Sequence, residues 1–148
     1  MGFETVVVAD VKIEKNTPPV GSYVFQLLPG AVQKESKFKA GLMELHLSAS
    51  VAEGDEQGKR VFWQYPDPTA IAKNGKAMSW SSQAMKKLQI CLGIDELPGE
   101  TFPDYFSRVA NDSPRFGATI EENKYTDKTG KEVTGDPKFN VFSVTAAA

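Results

Sequence analysis

The chain has one cysteine, Cys91, and one histidine, His46, among its 148 residues. A lone cysteine excludes a disulfide framework and a cysteine-based metal site, and it makes a reducing, cytosolic compartment the default expectation. A lone histidine leaves a Ser-His-Asp triad without spare parts. His46 alternates with Glu44 and Ser48 along a strand pattern and reads as an exposed bystander. No Cys/His cluster exists and the carboxylates are scattered, so no metal is expected. There is no G-x-G-x-x-G. The stretch Gly54-Asp55-Glu56-Gln57-Gly58-Lys59-Arg60 is one residue too short for a phosphate loop and puts Arg60 where the magnesium-binding Ser or Thr belongs. Neither a cofactor nor an enzymatic activity is expected. No apolar run approaches the roughly 20 residues that span a bilayer, and Met1-Gly2-Phe3-Glu4 opens no signal peptide, so no membrane partner is expected. Net positive charge is missing too: 17 Lys and Arg against 19 Asp and Glu give −2. That argues against a duplex binder relying on bulk charge and leaves room for a local basic groove.

What is present is ordinary in bulk and informative in pattern. Hydrophobic residues at 41% and charged residues at 24% suit a soluble globular protein, and the length suits one domain over residues 1–148. Thr5–Ile13 is β-rich and is broken by Asn16-Thr17-Pro18-Pro19. Gly21–Leu28 alternates, placing Tyr23, Phe25 and Leu27 on one face, and stops at Pro29-Gly30. Gln33–Gly41 reads as a polar loop. Leu42–Val51 is the clearest strand, with Met43, Leu45, Leu47, Ala49 and Val51 on a dry face and Glu44, His46, Ser48 and Ser50 on a wet one. An acidic turn leads to the strand Lys59–Tyr65, which ends at Pro66-Asp67-Pro68.

Ser79–Leu92 reads as a helix that Ser79 can cap and Gly93 closes, with Trp80, Ala84, Leu88 and Cys91 as its core stripe and Met85 and Leu92 alongside. Lys86 and Lys87 lie off that stripe. Pro103–Val109 is a short helix with Tyr105 and Phe106 inside it. Arg115–Asn123 is a strand with Phe116, Ala118 and Ile120 on one face, and Tyr125–Pro137 contains a polar hairpin tip. Lys138–Val144 is the last strand, and a disordered tail with nothing to bury starts at about residue 145.

Three strands, one long helix, then two strands is the order of a five-stranded OB barrel. The expected fold is therefore mainly β: an OB-like barrel with one long helix between strands three and four and an extra strand in front. Such a barrel holds oligonucleotides on its second and third strands and on the loops joining strands one–two and four–five. Three of those four elements place cations beside an aromatic: Lys37-Phe38-Lys39; Lys59-Arg60 with Phe62 and Trp63; and Lys124-Tyr125 with Lys128 and Lys131. Aromatics stack on unpaired bases and cations neutralise phosphates. Which aromatics of the third strand are presented depends on parity. With Val61, Trp63 and Tyr65 inside, Arg60, Phe62 and Gln64 face out; the reverse register exposes Trp63 and Tyr65. The β-branched Val61 favours the first register, so Arg60 and Phe62 lead, followed by Trp63.

Pro19-Val20-Gly21-Ser22-Tyr23-Val24, the alternating strand, Gly58-Lys59-Arg60-Val61-Phe62, Pro66-Asp67-Pro68, a helix ending Leu92-Gly93-Ile94 and the strand Gly117-Ala118-Thr119-Ile120 together resemble small bacteriophage proteins from replication and recombination gene clusters. The resemblance covers roughly Pro19–Val144. Those proteins are OB-fold single-stranded DNA-binding proteins. The resemblance implies single-stranded DNA as the partner, in the cytoplasm of an infected bacterial host; a homodimer and phage or host replication and recombination proteins are further candidate partners that the sequence leaves open. Better-known single-strand binders carry an acidic, partner-recruiting tail; this chain ends in alanines, so recruitment through such a tail is not expected. Thr5–Ile13 either completes the barrel or pairs with a neighbouring subunit. A second class of function fits the same strands: a phage structural or assembly module that binds protein subunits.

Overall fold

Apolar residues at every second position are buried together only if the chain is extended and one of its faces meets a core. The computed structural model describes residues 8–10, 17–37, 39–72 and 74–147. It realises the pattern as one curled, antiparallel, seven-stranded sheet accompanied by two helices. In chain order the elements are β1 (Gly21–Leu27), β2 (Val32–Glu35), β3 (Met43–Val51), β4 (Arg60–Pro66), α1 (Ser79–Leu92), α2 (Phe102–Val109), β5 (Arg115–Thr126), β6 (Glu132–Phe139) and β7 (Thr145–Ala146). β3 is the hub. β4 pairs with one of its edges, from Glu44 opposite Pro66 to Ser50 opposite Arg60. β1 and β2 share the other edge end to end, β1 at Ala49–Val51 and β2 at Met43–His46. β5 pairs with β1, β6 with the far half of β5, and β7 with Phe116 and Gly117. The sheet curls far enough for Trp63 of β4 to stack on Phe139 of β6. Among the described residues no hydrogen-bonded ladder joins those two strands, so the sheet is a half-barrel.

The core follows the alternation. Phe25 and Leu27, Leu45 to Val51 at every second position, Val61, Trp63 and Tyr65, and Phe116, Ala118 and Ile120 are all buried inward. The two helices cover the concave side with Ala84, Met85, Leu88 and Leu92, and with Tyr105, Phe106 and Val109. Gly93 closes α1 in the left-handed region at φ 71°, as its position suggested. The segment between the helices is pinned to α2. Arg108 donates Nε–H to Glu100 Oε2 and Nη2–H to Oε1, both at 2.8 Å, and Nη2–H to the Asp95 carbonyl at 3.1 Å. That bidentate grip holds the Glu100 carboxyl down at about 2, well below the usual carboxylate range.

Several expectations are corrected. The single long helix between strands three and four does not form there. The fourteen-residue α1 follows the fourth strand, and α2 adds a second helix of eight residues. The count shifts because Val32–Glu35, inside the expected loop, pairs with β3; its four residues are all exposed, so no alternation announces the strand. Of the N-terminal strand expected at Thr5–Ile13, Val8–Asp10 is a 3-10 turn, and the remainder lies outside the described residues.

Most of Tyr125–Pro137 is not loop. β5 and β6 continue to a short tip in which Asp127 Oδ1 accepts from the Thr129 N–H, the Thr129 hydroxyl and the Lys131 N–H. Pro137, at the end of the expected loop, sits in a bulge beside the paired Gly135. Glu121 faces Lys138 while Asn123 faces Gly135, so two residues of β6, one of them Pro137, oppose a single residue of β5. A bulge tolerates the missing proline N–H. A Cβ on Gly135 would sit 3.0 Å from Asn123 Nδ2 and 3.2 Å from Tyr125.

In the expected tail, Thr145 and Ala146 stay exposed but pair with β5 as β7. Val144 is in the core, and Thr145 packs so closely over Gly117 that a Cβ at 117 would collide with the Thr145 hydroxyl. On α1 the inward stripe is Ser81, Ala84, Met85, Leu88, Gln89 and Leu92. Trp80 is exposed and Cys91 half-buried. Ala84, Met85, Leu88 and Leu92 are inward as expected, while at the start of the helix the fully buried Ser81 takes the inward place and donates its hydroxyl to the Pro66 carbonyl at 2.6 Å. Ser79 is not the cap; Met78 holds that position and makes no capping bond.

Leu88→Ala should cost about 2–5 kcal/mol, the range for emptying a packed core site, read as a fall in denaturant midpoint. Trp80→Ala should move that midpoint by less than about 1 kcal/mol, as surface substitutions do. The Glu100–Arg108 pair makes a pH prediction. The folded-state pKa of Glu100 is depressed, so its contribution is present above the ordinary carboxylate range and is lost as pH falls towards about 2. The melting-temperature gap between wild type and Glu100→Gln should therefore be full near neutrality and close on acidification; a gap that widens in acid would refute the assignment.

Candidate nucleic-acid interface

The outward face of β4 is set by what its inward face must bury. Val61, Trp63 (4% exposed) and Tyr65 point into the core, so Arg60, Phe62 and Gln64 point out. Phe62 is 70% exposed, an unusual position for a large apolar ring in the middle of a paired strand. Its cross-strand neighbour is Ser48; Gln64 faces His46, and His46 faces Val32 of β2. One row further, Arg60 faces Ser50, Ser50 faces Gln26 of β1, and Gln26 faces Arg115 of β5. Directly opposed residues share a face, so Arg60 and Arg115 stand at the two ends of one row on the same face, with Ser50, expected on a wet face, buried between them. Arg60 makes no ion pair among the described residues, and Arg115 lies 3.8 Å from Glu53.

Phe62 also borders a cleft of about 380 Å³ over the seam between β4 and β6, lined by Thr17, Gln64, Pro137, Lys138 and Val141 among others. An exposed aromatic here faces a strand that carries a cation. The chemistry is that of a stacking surface with phosphate-binding groups within reach.

The other sequence-predicted site residues do not all join this face. Trp63 is withdrawn from it, because its ring stacks on Phe139 inside the half-barrel. Lys59 is half-buried with Nζ 2.6 Å from Glu56, so its charge is held within the acidic turn. Lys37 and Lys39 are exposed in the loop joining β2 to β3, and Lys39 Nζ donates to the Ile71 carbonyl at 3.3 Å. This loop lies at the opposite end of β3 from Arg60, roughly 25 Å away along a nine-residue strand. Phe38 lies outside the described residues. Tyr125, half exposed, and Lys128 sit on the β5–β6 arm, Lys128 at its tip. His46 is half-buried rather than a bystander in solvent: its Nε2 is 3.4 Å from Glu44 Oε1.

Two cations at the face were missed by sequence reasoning, Arg115 and Lys138. Arg115 was legible, since Phe116 inward implies Arg115 outward. Lys138 was not, because its place depends on the bulge.

A larger cleft of about 670 Å³ opens where the Met43 and Pro66 ends of β3 and β4 meet α1 and α2. Met43, Leu45, Met85 and Phe102 supply apolar lining; Glu44, Asp67, Glu96 and Glu100 supply carboxylates. Among the described residues no three of His, Cys, Asp and Glu converge in a metal-binding cluster. No protein-family model matches the chain, and no curated protein matches it in sequence.

Proposed function

We propose that this protein binds single-stranded DNA with little base preference, laying the strand across the outward face of β3 and β4. The observation that carries the reading is Phe62, presented at 70% exposure in the middle of a paired strand, beside Arg60 and across a cleft from Lys138. Each stacked base is worth about 1–3 kcal/mol on such a platform. We read the half-barrel as an OB-like barrel in which β1 and β2, end to end on β3, act together as one strand interrupted at Pro29-Gly30. The resemblance to phage replication and recombination proteins supplies the setting of the proposal, the cytoplasm of an infected bacterium. The alternative, a structural or assembly module, draws on a different observation: the cleft of about 670 Å³, whose apolar lining and carboxylate rim suit a protein segment bearing basic and apolar side chains.

Competition separates the two. Poly(dT) should displace a labelled oligonucleotide far better than an equal mass of duplex; equal displacement by both would sink the single-strand reading. Phe62→Ala should weaken oligo(dT) binding by about 1–3 kcal/mol without changing the melting temperature, and unaltered affinity would remove Phe62 from the path. Arg60→Gln and Lys138→Gln should each flatten the slope of log K against log salt by about 0.7, the single-strand value per phosphate contact. Lys59→Gln should leave the slope nearly unchanged, because Lys59 faces Glu56.

A further inference from the structure

Two aromatics outside this face are also open to solvent. Trp80 on α1 is 44% exposed and Phe142, in the loop between β6 and β7, is 54% exposed. Their ring centroids are 5.8 Å apart and their planes are inclined at 51°. Neither belongs to the core. The arrangement is nevertheless held by directed bonds. The Ser81 hydroxyl donates to the Pro66 carbonyl at the start of α1, with Ser81 buried and Trp80 beside it exposed. Lys87 donates Nζ–H to the Phe142 carbonyl at 2.6 Å. The Phe142 N–H donates to Asn140 Oδ1 at 2.9 Å, and the Ser143 hydroxyl donates to the Asn140 carbonyl at 2.6 Å. A loop tied at three points presents a ring to water rather than tucking it away.

The pair adjoins the cleft in sequence. Val141 lines the Phe62 cleft, and the next residue, Phe142, meets Trp80. On the single-strand reading, a chain leaving the cleft past Val141 would next meet the Trp80–Phe142 pair. Lys87 puts a cation at that point. We propose that Trp80 and Phe142 form a second stacking position for the single strand, used by a base beyond the one on Phe62. The proposal rests on the single-strand reading given above, and it assigns the occupant by adjacency in sequence to that cleft and by the cation beside the rings.

Intrinsic fluorescence tests it in the full chain. The protein has two tryptophans; Trp63 is buried and Trp80 half exposed, so a change in emission on adding oligo(dT) reports chiefly on Trp80. With oligo(dT) of about 16 nucleotides, the upper site size for an OB fold, wild-type emission should be quenched. Trp80→Phe keeps a stacking ring, so it should lose the quenching and keep its affinity, measured by anisotropy of a labelled strand. Trp80→Ala and Phe142→Ala should each weaken binding about 5- to 150-fold, the equivalent of one lost stacked base. Phe142 lies in a loop, so its variant guards against a Trp80→Ala protein that folds poorly. If the wild type binds without quenching and both alanine variants bind as tightly as it does, the second position is overturned while the Phe62 reading stands. If the wild type binds no oligo(dT), the single-strand reading falls and takes this position with it.

Discussion

Trp63 and Phe139 stack with ring centroids 4.4 Å apart, between two strands that have no ladder to hold them together. Phe116 meets both rings edge-on, and Phe25 stacks on Phe116 and meets Phe139 edge-on. The curl of the sheet depends on this cluster, which does between β4 and β6 what backbone hydrogen bonds do elsewhere. It carries a cost. Trp63 Nε1 and the Tyr65 hydroxyl are buried without a hydrogen bond of good geometry, and burial pushes the Tyr65 hydroxyl pKa up. An unpaired buried donor costs about 1–3 kcal/mol. A buried aromatic removes about 150–250 Å² from water, worth about 4–6 kcal/mol at 25 cal/mol/Å². Ring burial wins, and the strand parity is settled with it.

That parity determines the outer surface. A slip of one residue would bring Arg60, Phe62 and Gln64 inward and send Val61, Trp63 and Tyr65 out. It would put a guanidinium in the core and break the stack with Phe139. The exposed Phe62 is thus a consequence of register, and no rearrangement local to β4 could hide it while the core stays intact.

Alternation and punctuation made much of this legible. The inward faces of β1, β3, β4 and β5 could be read from every second apolar residue, and the span of α1 from its periodicity and Gly93. The failures occur where a local signal and a tertiary contact disagree. Val32–Glu35 is a strand with no buried face, so only its pairing with β3 defines it. Gly135 and Pro137 carry turn chemistry, yet Pro137 lies in a bulge, with Gly135 paired beside it, whose existence depends on the partner strand. Trp80 has the size and spacing of a core residue, but Ser81, whose hydroxyl finds the Pro66 carbonyl, takes the inward place and Trp80 stays exposed. In the site, Arg60 and Phe62 were readable from parity, whereas the separation of Lys37 and Lys39 from them required the whole sheet.

Net charge is a poor guide to such a surface. The formal −2 sums groups lying several Debye lengths apart, and at physiological salt charges more than about 8 Å distant are largely screened. Many of the carboxylates are engaged locally. Glu100 grips Arg108, Glu96 accepts from Gln89 and lies 3.7 Å from Lys86, and Asp67 accepts from the Thr69 N–H and hydroxyl. Those three line the cleft at the helix end of the molecule, well away from the row that joins Arg60 to Arg115. A phosphate approaching Phe62 meets Arg60 and Lys138, with Glu121 directly opposite Lys138 and engaged by the Asn140 amide, and meets the three carboxylates of the far cleft only weakly. A flexible single strand can follow a few such cations from one ring to the next. A stiff duplex with stacked bases offers no free base to the rings, and it needs a broad basic field that this face does not provide.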